Sequence, residues 1–330
     1  MQGEKFQSLK MGGFKMLNRR DFISKATLSG MALGMYGLPL EVFGKEHTEK
    51  LTILHTNDVH SQIEPFPDDH KTFPGMGGAA VRSAIISKIR EEEKNVLLLD
   101  AGDIFQGTPY FNFFGGEIEF KLMSQMGFDA ATLGNHDFDL GVGNLVKQMP
   151  HALFPFINCN YDFANSDLNG KVAPYKIIQK GKIKIGITGI GIQLSGLVPD
   201  RLYEGIVYNE PTQKLQKVAD FLRHEEKCHL IICLSHLGYK YNDNQKISDV
   251  YLAENTKNID IFIGGHTHTF LDKPSVHRNA EDKIVLINQV GWAGVNIGRL
   301  DIFFEKKMKK NTVFGNTVIV DKNAIGNRFF

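Results

Sequence analysis

Five times along this chain an apolar run stops abruptly at Asp, His or Asn, with glycine close by. LTIL, residues 51–54, runs into His55-Thr56-Asn57-Asp58-Val59-His60. VLLL, residues 96–99, runs into Asp100-Ala101-Gly102-Asp103. FDAA, residues 128–131, leads into TLGNHDFDLG, residues 132–141. HLIICL, residues 229–234, ends in Ser235-His236, and IDIFI, residues 259–263, ends in Gly264-Gly265-His266-Thr267-His268. Short runs this apolar read as strands buried on both faces. Such strands need covering layers on each side.

Helical patterns lie between them. In AAVRSAIISKIREEEK, residues 79–94, apolar residues recur at helical spacing and the end is charged. Residues 117–126 and 212–226 do the same, and Pro211 fits the first turn of the latter helix. Strands alternating with helices give an α/β fold, and such sheets gather ligands outside the carboxyl ends of their strands. The five polar run ends are therefore expected to meet in one cleft. KIKIGITGIG (182–191), KIVLINQVG (283–291) and IGRLDIFFEKK (297–307) read as further strands. The last two, close in sequence through Gly291 and Gly294, are expected to form an antiparallel part. With no repeat and no low-complexity linker, one domain over 51–325 follows, with residues 1–50 ahead of it and a short tail at 326–330.

Residues 1–50 have a different character. Asn18-Arg19-Arg20-Asp21-Phe22-Ile23 precedes a mild apolar stretch, residues 26–40, interrupted by Gly30, Gly34 and Gly37. That stretch is shorter than the ~20 residues of a membrane-spanning helix. A basic start followed by a short apolar segment reads as an export signal and linker, and the arginine pair resembles a twin-arginine signal. The expected location is periplasmic or otherwise exported through the twin-arginine machinery, with a membrane tether if the signal stays uncleaved. Over the whole chain 38 Lys/Arg oppose 37 Asp/Glu, so nothing calls for a nucleic-acid polymer as partner. Three cysteines without a CxxC pair make no disulfide framework.

The run ends supply Asp58, His60, Asp103, Asn135, His136, Asp139, His236, His266 and His268. Imidazoles mixed with oxygen donors, and no thiolate, suit Zn, Mn, Fe or Co better than Ca or Mg. So many donors exceed one tetrahedral ion and suit two divalent ions sharing a bridging carboxylate. His47, His55, His70, His151, His224, His229 and His277 lack this context and read as surface or packing residues.

The motif order D-x-H, G-D-x-x-x-G, G-N-H-D, S-H, G-G-H-T-H resembles the calcineurin-like metallophosphoesterases. ILHTNDVHSQIEP, DAGDIFQGTPY, TLGNHDFDLG and IGGHTHT resemble the 5′-nucleotidase/UDP-sugar hydrolase branch in particular, over residues 51–325. The resemblance implies a four-layer α/β/β/α sandwich. It implies Asp58, His60, Asp103 and His268 around a first metal, and Asp103, Asn135, His236 and His266 around a second, with Asp103 bridging. His136 would stand free beside the scissile phosphate, paired with Asp139, and Asp137 would support the turn. The implied activity is removal of phosphate from nucleotides or related small phosphates by a metal-activated water. A cyclic-nucleotide phosphodiesterase, a broad phosphatase, a thiosulfate-pathway hydrolase and a non-catalytic secreted binding protein are the competing expectations. Bacterial members of the branch usually continue into a substrate-binding C-terminal domain; a separate polypeptide of that kind is the expected partner.

Overall fold

The computed structural model describes residues 49–243, 246–305 and 310–322. The expected export signal and the tail at 326–330 lie outside them. The first half runs β1 (Glu49–Thr56), α1 (Ala79–Glu92), β2 (Val96–Asp100), α2 (Pro109–Phe114), α3 (Glu117–Met126), β3 (Ala130–Ala131), α4 (Gly141–Gln148), β4 (Phe156–Ile157), β5 (Tyr161–Asp162) and β6 (Val172–Ala173). The second runs β7 (Tyr175–Lys180), β8 (Ile183–Gly191), β9 (Val207–Tyr208), α5 (Pro211–Asp220), β10 (Leu230–His236), α6 (Asp249–Asn255), β11 (Ile261–Gly264), β12 (Ser275–Arg278), β13 (Ile284–Asn288), β14 (Asn296–Phe304) and β15 (Lys310–Ile319).

Two large sheets result. One has the order β15-β14-β1-β2-β3-β4-β6, the other β12-β13-β11-β10-β8-β7. From β1 to β6 the first sheet is parallel, with β14 and β15 added antiparallel at its edge. The second is parallel from β8 to β13 and carries antiparallel β7 and β12 at its two edges.

Alternation of side chains along the strands builds the layers. Leu51, Ile53, Leu97 and Leu99 join Ile185, Ile187, Leu230, Ile232, Ile261 and Ile263 in one core between the sheets. The opposite residues of the first sheet, Leu54, Val96 and Leu98, pack against Val81, Ile85 and Ile89 of α1 and Phe120 of α3. The opposite face of the second sheet, with Ile231, Cys233 and Phe262, packs against Leu215 and Ala219 of α5 and Leu252 of α6. Three cores between four layers make the α/β/β/α sandwich. The central strands β1, β2, β10 and β11 are covered on both faces, which is why their runs are apolar without a break.

Local signals set the helix ends. The Glu210 side chain accepts the amide hydrogens of Thr212 and Gln213 at 2.9 and 3.2 Å, just ahead of Pro211 in the first turn of α5. The helix expected over 212–226 is α-helical to Asp220 and then widens into a π-turn over Phe221–Glu225. Ser248 caps α6 by accepting from the Tyr251 amide. The expected antiparallel pairing of β13 with β14 does not form. β13 lies in the second sheet and β14 in the first, so the turn between them crosses from sheet to sheet.

Candidate metal centre

All five polar run ends reach the same end of the two sheets, and their turns are tied to one another. The Asp58 amide donates to the Gly102 carbonyl at 2.9 Å, and the His60 amide to the Asp103 carbonyl at 3.1 Å. The His266 amide donates to the Asp58 carboxylate, 2.9 Å to Oδ1 and 3.1 Å to Oδ2. The His136 amide donates to Asp103 Oδ1 at 2.8 Å. Backbone strain concentrates here. Asp58, His60, Asp103, His266 and His268 all have φ between 49° and 73°. Non-glycine residues rarely adopt this left-handed conformation, and it persists where surrounding contacts enforce it, often at functional sites.

Two groups of donors converge. Asp58, His60 and His268 form one, and Asp103, His236 and His266 the other; within each group the ligand atoms lie within 4.8 Å of one another. Asp103 faces both, since its Oδ2 is 3.0 Å from His236 Nε2 and 3.9 Å from His60 Nε2. Asn135 Oδ1 lies 2.9 Å from His266 Nδ1 and so joins the second group.

The donor atoms fit cations. His60 Nδ1 is 3.2 Å from the Phe105 carbonyl and His236 Nδ1 is 2.7 Å from the Ala101 carbonyl. Each Nδ1–H donates outward, which leaves Nε2 as the inward lone pair, as in metal-binding histidines. His60 Nε2 then faces His268 Nε2 at 3.0 Å. His236 Nε2 is fully buried and lies 3.0 Å from Asp103 Oδ2, its nearest carboxylate oxygen. Burial lowers the His236 pKa, but Asp103 and Asp58 override it and lift it to about 10. The same two carboxylates that favour a proton on the ring would favour a cation in its place.

His136 stands apart from both groups. Its Nδ1 is 2.8 Å from Asp139 Oδ2, its side chain keeps 37% exposure, and its ring centroid is 5.3 Å from that of His60. The hydrogen bond to Asp139 raises its pKa, against partial burial. Asp137 points the other way. Its buried carboxylate accepts from the amides of Asp103, Ile104, Phe105 and Gly134 at 2.8 to 3.2 Å. It clamps the Asp103 loop onto the loop that carries Asn135 and His136.

Every candidate named from the sequence therefore lies at this cleft: two donor groups, Asn135 beside the second, and the His136–Asp139 pair at the rim. The sequence reading missed three contributors. Asn57 Nδ2 donates to Asp58 Oδ2 at 2.6 Å and to the Gly291 carbonyl at 2.7 Å, holding the Asp58 carboxylate against the β13–β14 turn. Its place between His55 and Asp58, inside the first motif, was an available signal. Asp249, fully buried, accepts from Ser235 Oγ at 2.5 Å behind His236. Trp292 stacks on His268, with centroids 5.7 Å apart and planes 13° apart. Nothing near either residue in sequence marks it.

The calcineurin-like phosphoesterase family model matches residues 51–270. The chain belongs to that family. It is 33% identical to snake venom 5′-nucleotidase of Gloydius brevicauda over 296 residues, covering 83% of this chain and 48% of that protein. It is 30% identical to the 5′-nucleotidase of Rattus norvegicus, covering 82% of this chain and 49% of that one. Among solved structures, a 5′-nucleotidase precursor from Thermus thermophilus superposes with a TM-score of 0.73 at 31% identity, over 82% of this chain and 54% of that one. The chain thus spans about half the length of these relatives.

Proposed function

We propose that this phosphoesterase-family chain is an exported, two-metal phosphoester hydrolase of the 5′-nucleotidase kind, acting on nucleotides or related small phosphates. The observation that carries the reading is the placement of Asp103 between two donor groups, with His136 free beside them. Asp58, His60, Asp103 and His268 would hold one ion and Asp103, Asn135, His236 and His266 the other. When bound, such a pair supplies positive charge to the phosphate and lowers the pKa of the attacking water.

The chain's own residues do the rest. Asp103 Oδ1 is engaged by the His136 amide, so Oδ2 is the oxygen turned to the donor groups. Asp139 holds the His136 Nδ1 proton, which orients the ring and leaves Nε2–H for the phosphoryl oxygens or the leaving group. The hydrogen bond to Asp139 raises the His136 pKa and so favours retention of that second proton.

Two finer elements complete the proposal. Export rests on the Arg19-Arg20 signal pattern. A polypeptide of the C-terminal nucleotidase kind would seat over the cleft, and the 40% exposure of the His268 side chain supports an opening there. The test is a hydrolysis screen of metal-loaded protein on nucleoside monophosphates, cyclic nucleotides, UDP-sugars and an aryl phosphate. Preferred release of phosphate from nucleoside monophosphates is expected. Turnover of cyclic nucleotides alone, or of nothing, would contradict the proposal.

A further inference from the structure

A polar cavity lies behind the turns that carry Asp58 and Asp103. Thr56 and Asp100, the last residues of β1 and β2, line it, and Arg82 of α1 and Glu119 of α3 reach it from the helix layer. Ile104, Met123 and Phe128 make much of the remaining wall apolar. Its room for water centres is about 30 Å³. One water takes roughly 10–15 Å³ on that measure, so about two or three fit. Arg82, Asp100 and Glu119 are each at most 5% exposed. Arg82 Nη2 donates to the Gln62 carbonyl at 3.2 Å, while Nη1 has no hydrogen-bond partner among the described residues. The guanidinium also packs against Gly294, where a Cβ would strike it. Asp100 accepts from Thr56 Oγ1 at 2.5 Å and from the Gly102 amide at 2.9 Å. Burial pulls Arg82 down to about 10 and pushes Asp100 up to about 7. It also raises Glu119, whose charge is favoured by the Ser61 hydroxyl and by its own amide.

We infer that this cavity is an internal water site, whose water molecules bridge Arg82, Asp100 and Glu119. Each group has more hydrogen-bonding capacity than the protein meets, since a guanidinium carries about five N–H donors and a carboxylate about four acceptor positions. Leaving that capacity unmet in a buried place is strongly unfavourable. A polar cavity large enough for water is where internal water settles, whereas cavities that stay dry are apolar. Two carboxyl groups could also draw a metal cation, but the guanidinium among them opposes it. Water on Asp100 acts on the donor cleft through two hydrogen bonds. The Asp100 side chain ties Thr56, two residues before Asp58, to Gly102, the neighbour of Asp103. Bridged by water to α1 and α3, it braces both turns against the helix layer. Glu119 is then a positioning residue that acts through water and Asp100.

A high-resolution crystal structure of the full chain identifies the occupant. Ordered waters within hydrogen-bond reach of Arg82, Asp100 and Glu119 are expected. The same crystals under xenon pressure should show no xenon there, since xenon enters dry apolar cavities. A rubidium soak should leave no anomalous peak. Xenon bound in the wild-type cavity would overturn the water site in favour of a dry one, and a rubidium peak would overturn it in favour of a cation site. Two variants test the brace. Glu119→Gln keeps groups that bind water, and Glu119→Leu does not. Glu119→Leu should lose water from the cavity and weaken Mn(II) binding about ten-fold, the low end for groups that orient metal ligands from behind. Glu119→Gln should recover most of that affinity. Equal losses in the two variants, or none in Glu119→Leu, would overturn the positioning role of Glu119. A wild-type chain that takes up no Mn(II) would overturn both the metal centre and the brace, while the crystals by themselves decide the water.

Discussion

His136 and Asp137 are neighbours with opposite surroundings, and substituting them should produce opposite failures. His136 has a half-buried ring at the rim of the cleft, held by the Asp139 contact. His136→Ala should lose turnover by roughly 10²–10⁴-fold, the range for a general acid, with little loss of stability. Asp137 accepts four amide hydrogens inside the protein. Asp137→Ala strands those donors and should cost about 2–4 kcal/mol in denaturant unfolding. If His136→Ala unfolds as readily as Asp137→Ala, the two roles are misassigned. The Asp139 contact adds a pH signature. A raised His136 pKa keeps the ring protonated to higher pH, so activity that needs the proton is lost only as pH climbs through that raised value. Asp139→Asn removes the largest cause of the shift and should move the alkaline limb of kcat to lower pH. An unmoved limb would assign that titration to another group.

At the level of elements, the turns after the strands hold the chemistry through strained backbone and close approach. Gly134 lies so near the Asp103 loop that a Cβ would run into the Asp103 carboxylate and amide. Gly134→Ala should displace that carboxylate, costing about 1–3 kcal/mol as an overpacked core site does and lowering metal content in parallel. Thermal unfolding with metal analysis checks it, and unchanged metal content would count against Asp103 as a ligand. The turns were legible in the sequence because buried strands are apolar throughout, so a cluster of Asp, His and Asn stands out at their ends. Even β3, only two residues long, was marked by the NHD cluster after it. The sheet to which β13 and β14 belong was not legible. Both strands are apolar with glycines between them, and only long-range pairing separates them. Trp292 was hidden for the same reason, since Asn57, at the other end of the domain in sequence, holds the turn that carries it. Two sheets rather than one came from motif resemblance; periodicity says α/β and stops there.

At the scale of the molecule, candidate donors drawn from both sheets make the cleft a product of the whole sandwich. Asp58, Asp103 and Asn135 follow strands of the first sheet, while His236, His266 and His268 belong to the second. The export proposal belongs to this scale as well. Changing Arg19 and Arg20 together to Lys should leave the protein in the cytoplasm on cell fractionation, because Lys keeps the charge but not the guanidinium geometry. Unchanged export would remove the twin-arginine route. The central claim is that two ions share Asp103, and metal content per folded chain tests it most directly. Wild type and His136→Ala should each hold about two ions per chain, and Asp103→Ala should lose both or keep one weakly. Full metal content in folded Asp103→Ala, or an emptied site in His136→Ala, would contradict the account.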